Sequence, residues 1–281
     1  MTTSSLSMTP QRIALSLSRE ELYVVMKLLK AASLPGFDLA WLKAAPDGTV
    51  SDEIHHALEV ATNALIARGF LAPQPTAGSE PMRVNIPAPV VSLVGACAFG
   101  EDSILLSLRT PDGPRLLYLH ELRGLGVVHT MPLPDMHQFE AVDGRTGILG
   151  VIDDVLGLHM QTAASLPAGK ALAVDVQAAR DAAIAGNVPG AVELLVHGGL
   201  PVVTAHALGR AMQEATALGA IAIAKRDADG QQHEATLAIV VTPTVCFALA
   251  DEGPPPLHPA AFYVQPTSAQ ALRQWIASSL P

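Results

Sequence analysis

Between positions 90 and 131 the chain alternates apolar runs with turn-forming polar groups. VVSLVGACA, SILLSLRT, RLLYLH and LGVVHTM are separated by GED, PDGP and ELRG. Short apolar runs bounded by Gly, Pro, Asp and Asn read as strands joined by tight turns, so this stretch predicts an antiparallel meander. Its first run, 90–98, is almost wholly apolar and is read as an interior strand. Residues 136–142 are read as one more strand, and Asp143-Gly144 turns the chain. The pattern returns between 219 and 264: AIAIAKR, a DADGQQ turn, EATLAIVV, TVCFALA and finally AFYV.

Helix-period sequence surrounds both meanders. Residues 1–16 are polar and read as frayed. Ser18-Arg19-Glu20-Glu21 has the composition of a capping box, with Leu17 and Leu22 placed for a hydrophobic staple. Leu22, Val25, Met26 and Leu29 then mark one helical face, which Pro35-Gly36 should end. Trp41 in the following loop reads as a core plug. Ser51, Asp52 and Glu53 open a second helix, with Ile54, Leu58, Ala61 and Leu65 as its buried stripe and Gly69 as the residue after its C-cap. Ile148, Val151, Ile152 and Val155 predict a helix after the first meander. In the second half, helices are expected over 174–185, from Asn187-Val188-Pro189 to Gly198-Gly199, and from a Thr204 cap to Gly219. The last of these carries Leu208, Ala211, Met212, Ala215 and Leu218 inward. A Thr267–Gln270 capping box opens the closing helix, whose apolar face is Leu272, Trp275, Ile276 and Leu280.

Each half therefore runs helices, meander, helix. The expected fold is α+β: a central antiparallel sheet built from two meanders with flanking helical bundles and a pseudo-two-fold internal repeat. The halves are 1–165 and 166–281, meeting near SLPAGK at 165–170 and forming one joined globular unit. Pro/Gly-rich stretches at 73–81 and 253–259 read as connectors.

Composition narrows the function. Of 281 residues, 49% are hydrophobic and only 15% charged, and the net charge is −9. An acidic chain lacks the electrostatic footprint that nucleic acid or anionic lipid requires. A winged-helix reading of 51–71 fails on the same ground, because that helix starts with acids and carries Arg68 as its one base. No leader is read at the N-terminus, and no apolar run reaches the length of a membrane span, so the expected location is cytoplasmic. Cys97 and Cys246 read as buried thiols of a reducing compartment, with a disulfide left open.

Candidate chemistry is sparse. His55 and His56 are adjacent on a helix and point about 100° apart. His120, His129 and His137 lie in or near separate strands, and none has a carboxylate at metal-site spacing. Asp153-Asp154 reads as a solvated helix face. PAGK at 167–170 lacks the remainder of a phosphate loop, and no nucleophile elbow is present. The chain is therefore read as a non-enzyme with no cofactor and no metal. The alternative is a small-ligand protein or an enzyme using a cleft between the two meanders, with His129 or His137 as a polar contact.

SLSREELYVVMKLL, the helix ending in ALIARGFL, the hairpin SILLSLRTPDGPRLLYLH and the terminal ALRQWIASSL together resemble the EspG family, the cytosolic chaperones of ESX (type VII) secretion. The likeness covers most of the chain, while the Pro-rich connectors depart from it. It implies a binding protein without turnover that covers the apolar tip of a helical secretion substrate and keeps it soluble. The partner would be PE/PPE-like or another type VII substrate. A homodimer is allowed; nucleic acid and membrane insertion are not. The residues proposed to meet the partner are Arg109, Thr110, Asp112 and Arg115 on the hairpin tip, where hydrogen bonds can form at a rim, and Leu208 and Met212 on the apolar helices, where a partner helix would find a groove.

Overall fold

The computed structural model describes residues 13–42, 51–74, 83–100, 102–158, 165–226, 232–251 and 261–279. Among them are β1 (Ala14–Ser18), α1 (Arg19–Leu29), α2 (Asp52–Ala67), β2 (Ala72–Gln74), β3 (Arg83–Asn85), α3 (Ala88–Phe99), β4 (Asp102–Thr110), β5 (Gly113–Leu122), β6 (Leu125–Leu133) and β7 (Met136–Val142). They are followed by α4 (Gly144–Leu156), β8 (Gly169–Leu172), α5 (Ala173–Ile184), α6 (Val188–His197), α7 (Val202–Glu214), β9 (Ala217–Arg226), β10 (Gln232–Val241), β11 (Cys246–Asp251), β12 (Ala261–Thr267) and α8 (Ala269–Ser279). The fold is α+β. Ten strands form one antiparallel sheet in the order β1-β7-β6-β5-β4-β9-β10-β11-β12-β8, and β2 pairs with β3 separately. The two meanders are β4–β7 and β9–β12, joined by β4–β9 pairing in which Ile104 faces Ile223 and Leu106 faces Ile221. Main-chain hydrogen bonds thus occupy the place where the alternative reading put a cleft.

The chain forms two compact units. The first comprises 1–100 and 118–148, the second 101–117 and 149–281. In the first, Ser18 caps α1 through a complete capping box: the Ser18 amide donates to Glu21 Oε2 at 2.9 Å and the Glu21 amide to Ser18 Oγ at 3.2 Å. Glu21 is buried, and Arg68 Nη1 donates to both its carboxylate oxygens at 2.8 and 2.7 Å. Arg68 Nη2 also donates to the Ser16 carbonyl at 2.6 Å. Arg68, the C-cap of α2, is therefore committed to the start of α1. Gly69, with φ at +74°, follows the C-cap of α2 as expected.

Several expectations change. Residues 90–98 are not a strand: they lie in α3, which buries Val90, Leu93, Val94 and Cys97 and exposes Val91 and Phe99. Spacings of 3, 4 and 7 are helical, and Pro89 is tolerated in the first turn where no intrahelical N–H bond is due. Residues 14–18 are the edge strand β1, paired with β7. Helix α1 ends at Lys30, which takes a left-handed φ of 58°, well before Pro35-Gly36. Thr204 does not cap α7; it is buried in the helix and its hydroxyl donates to the Pro167 carbonyl at 2.7 Å. Leu218 and Gly219 belong to β9 rather than to α7. A side chain at Gly219 would collide with the Ser107 carbonyl on β4, so this glycine permits close strand approach. The α8 cap is Ser268, whose Oγ accepts from the Ala271 amide at 3.0 Å, one residue beyond the expected Thr267. Residues 1–12 of the polar start, 75–81 of the first connector, 227–231 of the DADGQQ turn, the 253–259 connector and Leu280 lie outside the described residues.

In the second unit α5, α6 and α7 pack as small-residue helices around Ala179, Ala183, Ala191, Leu195, Ala205 and Leu208. They rest on Leu218, Val240, Phe247, Leu249 and Val264 of the sheet. Asn187 caps α6 by accepting from the Gly190 amide at 3.1 Å. Asp153 is no solvated acid: Arg273 Nε donates to both its oxygens at 2.7 and 2.8 Å.

Candidate functional site: a groove on the sheet of the second unit

One sheet face of the second unit is only partly covered by its helices. Cross-strand registers place Arg109, Leu218 and Val240 in one row and Ser107, Ala220 and Ala238 in the next. The second row is small, so the sheet surface recedes there. Helix α5 forms the wall with Val176, Gln177, Arg180, Asp181 and Ile184, and Met212 of α7 closes one end. The resulting groove holds about 500 Å³. Its base is apolar. Its rim carries Arg109 and an Arg180–Asp181 ion pair at 2.9 Å. Arg109 itself makes no ion pair among the described residues.

The β4–β5 hairpin stands beside the groove. Its tip is held internally: Thr110 Oγ1 donates to the Gly113 carbonyl at 3.0 Å, and Arg115 pairs with Asp112 at 2.9 Å. Both ions of that pair are largely exposed, so it contributes little to stability, but it presets the tip. Of the residues proposed from the sequence, the structure puts Arg109 and Met212 in the groove and Thr110, Asp112 and Arg115 at the tip. Leu208 is fully buried among α5–α7 and has no surface to offer. The sequence places a groove on the apolar helices at 174–218, of which α5 forms the wall, but singles out no residue of the Ser107–Ala220–Ala238 base. The signal of that base was present in AIAIAK, where every second residue on one strand face is alanine. A strand face of alanines cannot fill the space under a helix.

Elsewhere the reactive groups are inert or engaged. Cys97 and Cys246 are both free and buried; burial raises the Cys97 thiol strongly and pushes Cys246 up to about 12. Thiols held protonated are poor nucleophiles. His55 and His56 are exposed beside Glu59. His120, His129 and His137 are buried within the first unit, so His129 and His137 line no cleft between meanders. Among the described residues, no three His, Cys, Asp or Glu side chains gather in a way that could hold a metal ion. Among the described residues, no helix is long and apolar enough to cross a membrane.

The chain thus combines a continuous antiparallel sheet, flanking helices and a groove on one sheet face. That architecture is similar to a solved structure of the Mycobacterium tuberculosis type VII secretion system chaperone EspG5 in complex with a PE25–PPE41 dimer. The TM-score is 0.60 over 95% of this chain and 96% of that one, at 13% identity. The resemblance drawn from the sequence thus holds at the level of fold. No protein-family model matches the chain, and no curated protein matches it in sequence.

Proposed function

We propose that this protein is a cytoplasmic chaperone of the type VII secretion kind, which binds a helical secreted protein and carries out no turnover. The observation that carries this reading is the groove of the second unit, with its apolar base and its rim of Arg109, Arg180 and Asp181. Large apolar side chains projecting from a helix end would leave water there, at roughly 25 cal/mol per Å² buried. The groove alone is smaller than the ~800 Å² per partner of a typical stable interface. The hairpin tip, with Arg109, Thr110, Asp112 and Arg115, supplies the polar remainder. Leu208 acts from beneath by holding α7 and Met212 in place. A PE/PPE-like pair, as in the EspG5 complex, is the first partner class to test. The same reading keeps the internal repeat, with 1–165 and 166–281 as halves of common ancestry, each running helices, meander, helix.

Co-expression with small helical secreted proteins encoded beside it tests the reading. The expected result is a stable heterocomplex on size exclusion, with mass analysis also deciding whether the free chain is a monomer or a homodimer. No complex with any such protein would overturn it.

A further inference from the structure

The first unit holds a cluster that the binding reading leaves unused. His129 Nε2 and His137 Nδ1 are 2.9 Å apart and buried. One ring must donate and the other accept, so the contact needs at least one lone pair between them. The His129 ring is stacked on Phe139 with centroids 4.6 Å apart and on Tyr118 at 5.4 Å. Residues 34–42 lie over this stack. Phe37 meets His137 edge-on at 5.5 Å, Gly36 sits against the Tyr118 ring where a side chain would not fit, and the Pro35 carbonyl faces His129. A pocket of about 240 Å³ at the edge of the segment is lined by Phe37, Asp38, Trp41, Asp135 and His137.

We propose that residues 34–42 are a latch, held shut over the neutral His129–His137 pair and released when that pair becomes charged. Closed, the segment seals two imidazoles among aromatic rings. A charge there is costly to keep from water, and displacing the segment is the shortest route to hydrating it. The charged and titratable groups around the pair set the balance. Asp135 favours a charged His137; Arg19 of α1 lines the same pocket and is paired with Asp135 at 3.1 Å and with Glu20 at 3.0 Å. His120 of β5 opposes charge on His129. Asp38 lies on the latch itself, Tyr118 of β5 stacks on His129, and Cys97 is the one titratable side chain of α3. β1 carries none. Glu121 and Glu140 fall on the opposite sheet face by strand alternation.

Trp41, on the latch and edge-on to Tyr23 at 5.8 Å, reports its position. In a Trp275→Phe chain it is the one remaining tryptophan. Acidification from about pH 7.5 to about pH 4.5, through the range where histidines charge, should shift Trp41 emission to the red and raise amide exchange in 34–42. The far-UV circular dichroism should hold. His137→Phe should abolish the transition. Asp135→Asn, at an exposed position that leaves the core intact, should move its midpoint to lower pH. Loss of Trp41 signal only together with the far-UV signal, or a midpoint indifferent to both substitutions, would overturn the proposal.

Discussion

The two units cover their sheet faces with side chains of very different size. In the first, Phe139, Val127 and Leu17 stand on the strands and pack with Leu22, Val25, Met26, Leu93 and Val94 of α1 and α3, while His129 stacks on Phe139 and pairs with His137. Residues 34–42 close what remains. In the second, the strand face beneath α5 offers Ser107, Ala220 and Ala238, and the helices above are themselves rich in alanine. The same element types therefore yield a sealed layer in one place and a groove in the other. Side-chain volume decides between them: close-packed interiors leave few voids, so a strip of alanines under a helix becomes an opening unless a partner fills it.

Cutting into the sealed layer should produce the largest effect. Phe139→Ala removes a fully buried ring from between His129 and the helices, and should cost about 3–5 kcal/mol of stability, read from the urea midpoint. A loss under about 1 kcal/mol would mean that the layer is looser than its geometry implies.

Acid should separate the units next. Every buried histidine among the described residues lies in the first unit. Burial lowers His120 to about 4 and His129 to about 3, and it lowers His137 as well. An unfolded chain takes up these protons near 6.5, while the folded chain does so only at lower pH. While residues 34–42 stay closed, the stability these groups confer is full above about pH 6.5 and falls as pH drops toward about 4 for His120 and about 3 for His129. At pH 5 each of His120 and His129 should cost about 2 kcal/mol. Hydrogen exchange of β5–β7 should then accelerate between pH 7 and 5 relative to β9–β12, after correction for intrinsic rates. Equal changes in both sets of strands would remove the distinction.

The smallest effect on the fold should come from filling the groove. Ala220→Trp adds volume where space already exists, so the melting temperature should stay within a few degrees. Affinity for a co-expressed helical partner should fall by about tenfold or more, equal to about 1.4 kcal/mol. Unchanged binding would move the partner surface away from the groove and leave the hairpin tip as the surface to test.

Much of this was legible in the chain. The Ser18–Glu21 box, the Gly69 stop, the Asn187 cap and the paired strands 103–110 and 115–120 announce themselves through local backbone chemistry, and local chemistry needs no tertiary partner. Segment 90–98 misled because small and apolar residues occupy nearly every position. Only the burial of Val90, Leu93, Val94 and Cys97 against exposed Val91 and Phe99 exposes the helical period. Gly219 misled because a glycine after a helix reads as a stop, whereas here the passing Ser107 carbonyl of β4 requires it.

The sequence by itself determined the α+β class, the helix starts at Ser18, Ser51 and Asn187, the stops at Gly69 and Gly198, the two meanders and the lack of any local catalytic signature. Each of these follows from hydrophobic period, capping and turn chemistry within a few residues. The tertiary structure alone decided that β4 pairs with β9, that Arg68 serves Glu21 and Asp153 serves Arg273, that three separated histidines share one buried face, and that Leu208 is sealed while Met212 opens on a groove. The β4–β9 and Asp153–Arg273 contacts join segments more than a hundred residues apart, and Arg68 reaches Glu21 from 47 residues away. No local pattern encodes which side chains such pairings bring together.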